Sequence, residues 1–421
     1  MKRGRVWKRW SAAAMLVAAL LVSSAVAVAS FGHHGKRVIS HQGIVREAIP
    51  YGKKKTLLVA DLSPGQKLLR LRADGSIDRS FGSDGHLDIP AEAVAVRPNG
   101  KILVLSTAYL PQDGGGSEAV LTQLLPDGSP DDSFGPGGEV VVDFGDRYAE
   151  GTAMTLLPNG EIAIGGVSGP RLEPRIGVVV GDVVIARLHS DGRFDASFGS
   201  NGKVTVPSAA PPASLKRGPN GSLYLQGGEA FHQLIRLDAD GTPDSSFGEK
   251  GEATIPVTWN LGGEEKNFFQ AGEWSVLANG GVFVGGTVSW SVNDQLRYKA
   301  GVLRLAPNGF PKSSYGDGGL VQAGFRGWTF GGGVATTPKG RAVVLASSQF
   351  LIGKKSRLAA IGLTPAGELD RRFGTGGKVR IGFDEWVSGE SILLRGGKVL
   401  LVGGAEGNHT LLARVPLAKR R

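Results

Sequence analysis

Five aspartates stand at one offset in this chain: Asp78, Asp131, Asp195, Asp244 and Asp370 each precede a Phe-Gly pair by three residues. Carboxylates repeated in register could hold a hard cation or share a proton in general acid/base work. Their surroundings favour another role. Asp followed by x-Ser-Phe-Gly is what caps a tight turn, because the short acidic side chain bonds its own downstream amides, and one further copy carries Lys312 in that place.

Other chemistry is sparse. There is no G-x-S-x-G nucleophile elbow, the nearest run being Gly166-Val167-Ser168-Gly169, and no H-E-x-x-H. The chain has no cysteine. His33 and His34 fall in the variable pair of a Phe-Gly turn, so a metal role is not assigned to them. No P-loop or dinucleotide fingerprint occurs, because the Gly-Gly pairs end apolar runs rather than open helices.

The elements that must carry these residues are legible. The pairs Phe31-Gly32, Phe81-Gly82, Phe134-Gly135, Phe198-Gly199, Phe247-Gly248, Tyr315-Gly316 and Phe373-Gly374 are each followed by another Gly three residues after the first, and successive aromatics lie 50, 53, 64, 49, 68 and 58 residues apart. Before each later pair runs an alternating apolar strand and a turn ending in Asp-Gly or its substitute, as in LLRLRADGSIDRSFG from Leu68. Upstream of each lies a hairpin such as VAVRPNGKILVLS from Val94 or WSVLANGGVFVGG from Trp274. A short strand after each Phe-Gly turn makes four strands per unit. The chain ends after a third strand, TLLARVPL from Thr410, and the missing fourth stands at the other end, as SFGHHGKRVI from Ser30. The sequence therefore predicts an all-β, seven-bladed β-propeller of four-stranded blades, the last closed by the N-terminal strand so that no edge stays open.

The motif Asp-Gly-x-x-Asp-x-Ser-Phe-Gly-x-x-Gly-Lys-Val after a Pro-(Asn/Asp)-Gly-Lys hairpin resembles the bacterial delta-60 repeat and, more distantly, NHL-type propeller repeats. The resemblance covers Ser30 to the C-terminus. It implies a secreted or surface propeller of unassigned activity, with no catalytic residues to transfer.

Residues 1–29 read as a signal peptide: Lys2, Arg3, Arg5, Lys8 and Arg9, an apolar run from Ala12, and Ala27-Val28-Ala29 before the cut. An uncleaved anchor is the alternative. Residues 30–421 then form a single propeller in a secreted or cell-surface protein. The formal charge is +10, of which the leader holds five and the tail Lys419, Arg420 and Arg421 three more. That leaves no case for a nucleic-acid partner. No second stretch is apolar enough to span a membrane, and the expected state is a monomer.

In an NHL-like arrangement the Pro-Asn-Gly and Phe-Gly turns share one face and the variable connections share the other. Function concentrates in loops held by a rigid scaffold. The binding residues expected there are Trp259, Trp290, Arg297, Tyr298, Arg326, Trp328, Asp384, Glu385 and Trp386, residue types that dominate binding hot spots. The competing reading of the tryptophans is as plugs or wedges between blades. The reading is of a binding or scaffold module for an extracellular glycan, peptide, protein or wall component, with no cofactor and no catalytic residue. The alternative is a calcium-dependent lactonase- or esterase-like hydrolase, its channel ion held from among Asp146, Glu150, Asn260, Asp384 and Glu385.

Overall fold

The computed structural model describes residues 31–40, 43–62, 65–110, 115–173, 178–206, 214–227, 232–259, 267–349, 356–383, 386–405 and 409–418. The leader, Asn260, Asp384 and Glu385 lie outside the described residues. No helix among the described residues is long and apolar enough to cross a membrane.

The chain is all-β, as expected. After β1 (Lys36–Ser40) come β2 (Gly43–Tyr51), β3 (Lys55–Leu62), β4 (Gln66–Leu71) and β5 (His86–Asp88), then β6 (Ala93–Val96), β7 (Ile102–Tyr109), β8 (Ser117–Leu124) and β9 (Glu139–Val142). Next are β10 (Tyr148–Leu156), β11 (Ile162–Glu173), β12 (Val178–Leu188) and β13 (Lys203–Val206), and β14 (Ser214–Arg217), β15 (Leu223–Gly227), β16 (Gln233–Leu237) and β17 (Glu252–Thr254). A short β18 (Thr258–Trp259) precedes β19 (Asn267–Val276), β20 (Val282–Val292), β21 (Gln295–Leu305) and β22 (Leu320–Ala323). The last are β23 (Trp328–Thr336), β24 (Ala342–Gln349), β25 (Arg357–Leu363) and β26 (Lys378–Ile381), and β27 (Val387–Arg395), β28 (Lys398–Ala405) and β29 (His409–Pro416).

Hydrogen bonding corrects the expected count of seven separate four-stranded blades. Five sheets stand as discrete blades: β2–β5, β14–β17, β18–β22, β23–β26 and β27–β29 with β1, the third having five strands. Strands β6–β13 form one continuous eight-stranded sheet. The cause is local: the chain between β9 and β10 folds back on β8, so that Tyr148 pairs in parallel with Ser117 and the Ala149 amide donates to the Ser117 hydroxyl at 3.1 Å. The added β18 pairs Trp259 with Asn267. The closing strand is where the sequence put it, with β1 antiparallel to β29 from Lys36↔Ala413 to Ser40↔His409.

The repeated motif stitches neighbouring units together. Each of the first six aromatics lies against the turn glycine of the next unit, Gly75, Gly128, Gly192, Gly241, Gly309 and Gly367 in order. Gly75, at φ +81°, leaves no room for a side chain, since a Cβ there would sit 2.6 Å from the Phe31 ring. The glycine amide after the aromatic donates across the same seam, Gly82 to Asp127 O at 2.7 Å and Gly248 to Asn308 O at 2.7 Å. Third-strand arginines cover the rings: Arg70 over Phe81, Arg187 over Phe198 and Arg236 over Phe247, each guanidinium 4.8 Å from its centroid. Apolar area, a backbone bond and a cation over a ring thus meet at each such seam.

Candidate functional site

The first strands of the units touch in turn around the axis, from β2 through β6, β10, β14, β19, β23 and β27 back to β2. Simple alternation would point every second residue of such a strand at its neighbours. Register shifts interrupt it between Val45 and Glu47, Gly151 and Ala153, Ala271 and Trp274, Gly331 and Val334, and Gly389 and Ser391. A bulge re-aims the side chains beside it. The outcome is a cavity of about 420 Å³ on the axis, lined by Arg46, Glu47, Glu92, Lys216, Gln226 and Glu273 among others.

The cavity is crowded with carboxylates. Glu273 fits a slot that glycine makes, since a Cβ on Gly333 would sit 2.2 Å from Glu273 Oε2. Surrounding protein, with Glu47 and Glu390 within electrostatic reach, pushes the Glu273 carboxyl up to about 7 against the opposing pull of Lys216. Burial by surrounding protein likewise raises Glu47, opposed by Lys216 and Arg46. Glu47 and Glu273 are both exposed residues lining the cavity, so partial enclosure by protein atoms is what disfavours their charge. Burial and then Glu92 raise Glu150, whose Oε1 has no hydrogen-bond partner. None of Glu47, Glu273 or Glu390 was singled out from the sequence. The available signal was a Glu interrupting an apolar first strand, in IVREAI, QAGEWSV and GESILL.

The expected loop-face residues divide into three groups. Tyr298 and Trp328 come together: their ring centroids are 5.5 Å apart at 77°, and Phe330 completes a trio at 4.8 Å from Tyr298 and 6.3 Å from Trp328. The stretch from Val288 to Lys299 is a hairpin extending β20 and β21, turned by Asn293 and Asp294 at φ +48° and +59°. It pairs Trp290 with Arg297 and Ser289 with Tyr298, and Phe268 pairs with Ser289 on the other side. Phe268 and Leu296 are 50% and 54% exposed beside the trio's row. Trp259 and Trp290 instead pack half-buried against the core, Trp259 donating Nε1–H to Asp317 O at 3.2 Å. Arg326 is exposed between β22 and β23, and Trp386 is half-buried before β27. Trp274 is buried and donates to Ser214 Oγ at 2.5 Å, the wedge role.

The recurrent aspartates are turn caps. Asp78 accepts Arg70 Nε–H at 2.8 Å, Lys55 at 2.7 Å and the Ser80 hydroxyl at 2.9 Å, and its carboxyl is held far below the usual range. Asp131, Asp195, Asp244 and Asp370 repeat the pattern. Glu161, His189 and Asp195 bring ligand-type atoms within 4.8 Å of one another, but Arg187 already contacts both acids. Of the calcium candidates, Asp146 accepts the Ser168 hydroxyl at 3.0 Å away from the axial cavity.

Residues 97–134, 175–198 and 219–247 match a family described as a domain of unknown function (DUF5122) beta-propeller. The chain is thus similar to a β-propeller repeat family. No curated protein matches it. Among solved structures it is similar to a protein of unknown function from Bacteroides caccae, with TM-score 0.36 and 12% identity over 78% of this chain and 92% of that one. It is also similar to Drosophila Plexin A, solved in complex with Semaphorin 1b, at TM-score 0.45 and 10% identity over 92% and 88%. A third is the GH74 xyloglucanase from Xanthomonas campestris, at TM-score 0.41 and 12% identity over 87% and 52%.

Proposed function

We propose that this chain is an exported, monomeric binding module that holds a glycan, peptide or wall component on its loop face. The observation that carries the reading is the half-buried trio Tyr298, Trp328 and Phe330. Aromatic faces fixed by their neighbours lose little entropy on binding. A glycan array probed with the mature chain tests it. Binding that falls at least tenfold in Tyr298→Ala supports the trio as the contact; equal binding by the variant sinks that assignment.

A calcium-dependent hydrolase is the second reading, favoured by Glu150, a carboxyl within electrostatic reach of Glu92 whose Oε1 has no hydrogen-bond partner. Its test is the melting temperature. Millimolar Ca²⁺ should raise it and EDTA lower it if an ion is bound, and an unchanged curve removes the reading's main support.

A further inference from the structure

The axial cavity shares no residue with the loop-face trio, and at about 420 Å³ it has the size of a small-molecule site. Glu47 on β2, Glu92 just before β6 and Glu273 on β19 bring carboxylates to its wall from three units, and all three residues are exposed. None of these carboxylates has a hydrogen bond or ion pair to another described residue. The cations of the same wall are fewer. Arg46 is committed elsewhere: its Nε pairs with Asp61 at 2.9 Å and its Nη2 donates to Ala91 O at 2.7 Å. Lys216 on β14 remains, its ammonium 5.4 Å from the Trp274 ring centroid. The wall also holds apolar surface, at Val94, Met154 and Leu215.

We propose that the axial cavity binds a short aliphatic polyamine, whose ammonium groups supply the partners that Glu47, Glu92 and Glu273 lack and whose methylenes lie along Val94, Met154 and Leu215. An ammonium brings three donors, and its bond to a carboxylate is charge-assisted and so stronger than a neutral one. The carbon chain between ammoniums gains by leaving water against apolar side chains.

The arrangement selects this ligand over a metal ion. A single cation needs its oxygens gathered at one point. Among the described residues the group so gathered is Glu161, His189 and Asp195, not the three axial glutamates. Carboxylates set apart around a cavity suit a molecule that carries separated charges. The formal charge of the whole chain is +10, so its overall field disfavours loose uptake of a polycation. The acidic cavity is the exception within a basic protein.

The test is isothermal titration calorimetry of the mature chain with spermidine at low salt and pH 8, where Glu273, held up to about 7, is ionised. Saturable binding at one spermidine per chain is expected, weakened about tenfold or more in Glu273→Gln and in Glu47→Gln, and tightened in Lys216→Gln. Butylamine, with a single ammonium, should bind about tenfold or more less tightly than spermidine. Glu249→Gln, an exposed position outside the cavity, should leave the affinity unchanged. Glu47 and Glu273 lie on different strands, so if one variant fails to melt cooperatively the other decides. Absence of saturable binding, or an affinity that survives the substitution of Glu47 or Glu273 in a folded variant, overturns the proposal.

Discussion

Arg414, on β29, sets its guanidinium 4.1 Å from the centroid of the Phe31 ring and donates Nη1–H to Ala73 O at 2.5 Å. One cation from the end of the chain thereby covers an aromatic from its beginning and grips a turn of the β2–β5 blade. The Gly32 amide adds a bond to Asp74 O at 2.9 Å. Ring closure rests on these contacts as well as on the β1–β29 ladder.

Deleting residues 30–40 should therefore lower the melting temperature and give concentration-dependent aggregation, because β29 becomes an open edge. Phe31→Ala should cost about 3–5 kcal/mol in chemical denaturation, as expected for emptying a packed aromatic site. Removing Lys419 to Arg421 should change neither property. A deletion as stable and monomeric as the parent would show that β1 is dispensable to the ring.

Asp78 is the most heavily bonded turn cap, and it neutralises Arg70, which is itself buried. Asp78→Ala should destabilise by about 3–5 kcal/mol, since an uncompensated buried guanidinium remains. The depressed carboxyls of Asp78 and Asp131 fix the pH sign: their stabilisation is present above about pH 4 and is lost as acid protonates the folded state. Equilibrium denaturation at pH 7 and pH 3 measures both effects. Equal stability at the two pH values would contradict the role given to these caps.

The unit that departs from the repeat is open to improvement. Lys312 stands where the cap should be, eight residues after Arg304, and the buried Tyr315 hydroxyl has no hydrogen-bond partner. Tyr315→Phe should stabilise by about 1 kcal/mol by removing an orphaned buried hydroxyl. Lys312→Asp should add about 1 kcal/mol by giving Arg304 the partner that Arg70 has. Thermal melts of the single and double variants check this, and a lower melting temperature in Tyr315→Phe would show that the hydroxyl is bonded.

Much of this fold is written locally. Pro-Asn-Gly and Asp-Gly turns between period-two runs place the hairpins, and the unmatched strand at Lys36 points to closure. The joining of β6–β13 was not legible, because it depends on one parallel contact, Ser117 with Tyr148, which no turn motif announces. The pairing of Tyr298 with Trp328 was only half legible: both belong to variable connections, but their contact needs the extension of β20 and β21. The axial glutamates were missed for a different reason. Bulges at Arg46, Gly272 and Gly389–Glu390 break the alternation that a strand reading relies on.

The most direct measurement of the loop-face account is co-sedimentation of the mature chain with purified peptidoglycan sacculi, comparing wild type with Trp328→Ala and Trp386→Ala. Saturable binding weakened by about 2 kcal/mol in Trp328→Ala, with an unchanged melting temperature, is the predicted result. Binding that is undiminished when Trp328 is removed, or a variant that loses its fold instead of its affinity, would contradict it and make this tryptophan a structural wedge like Trp274.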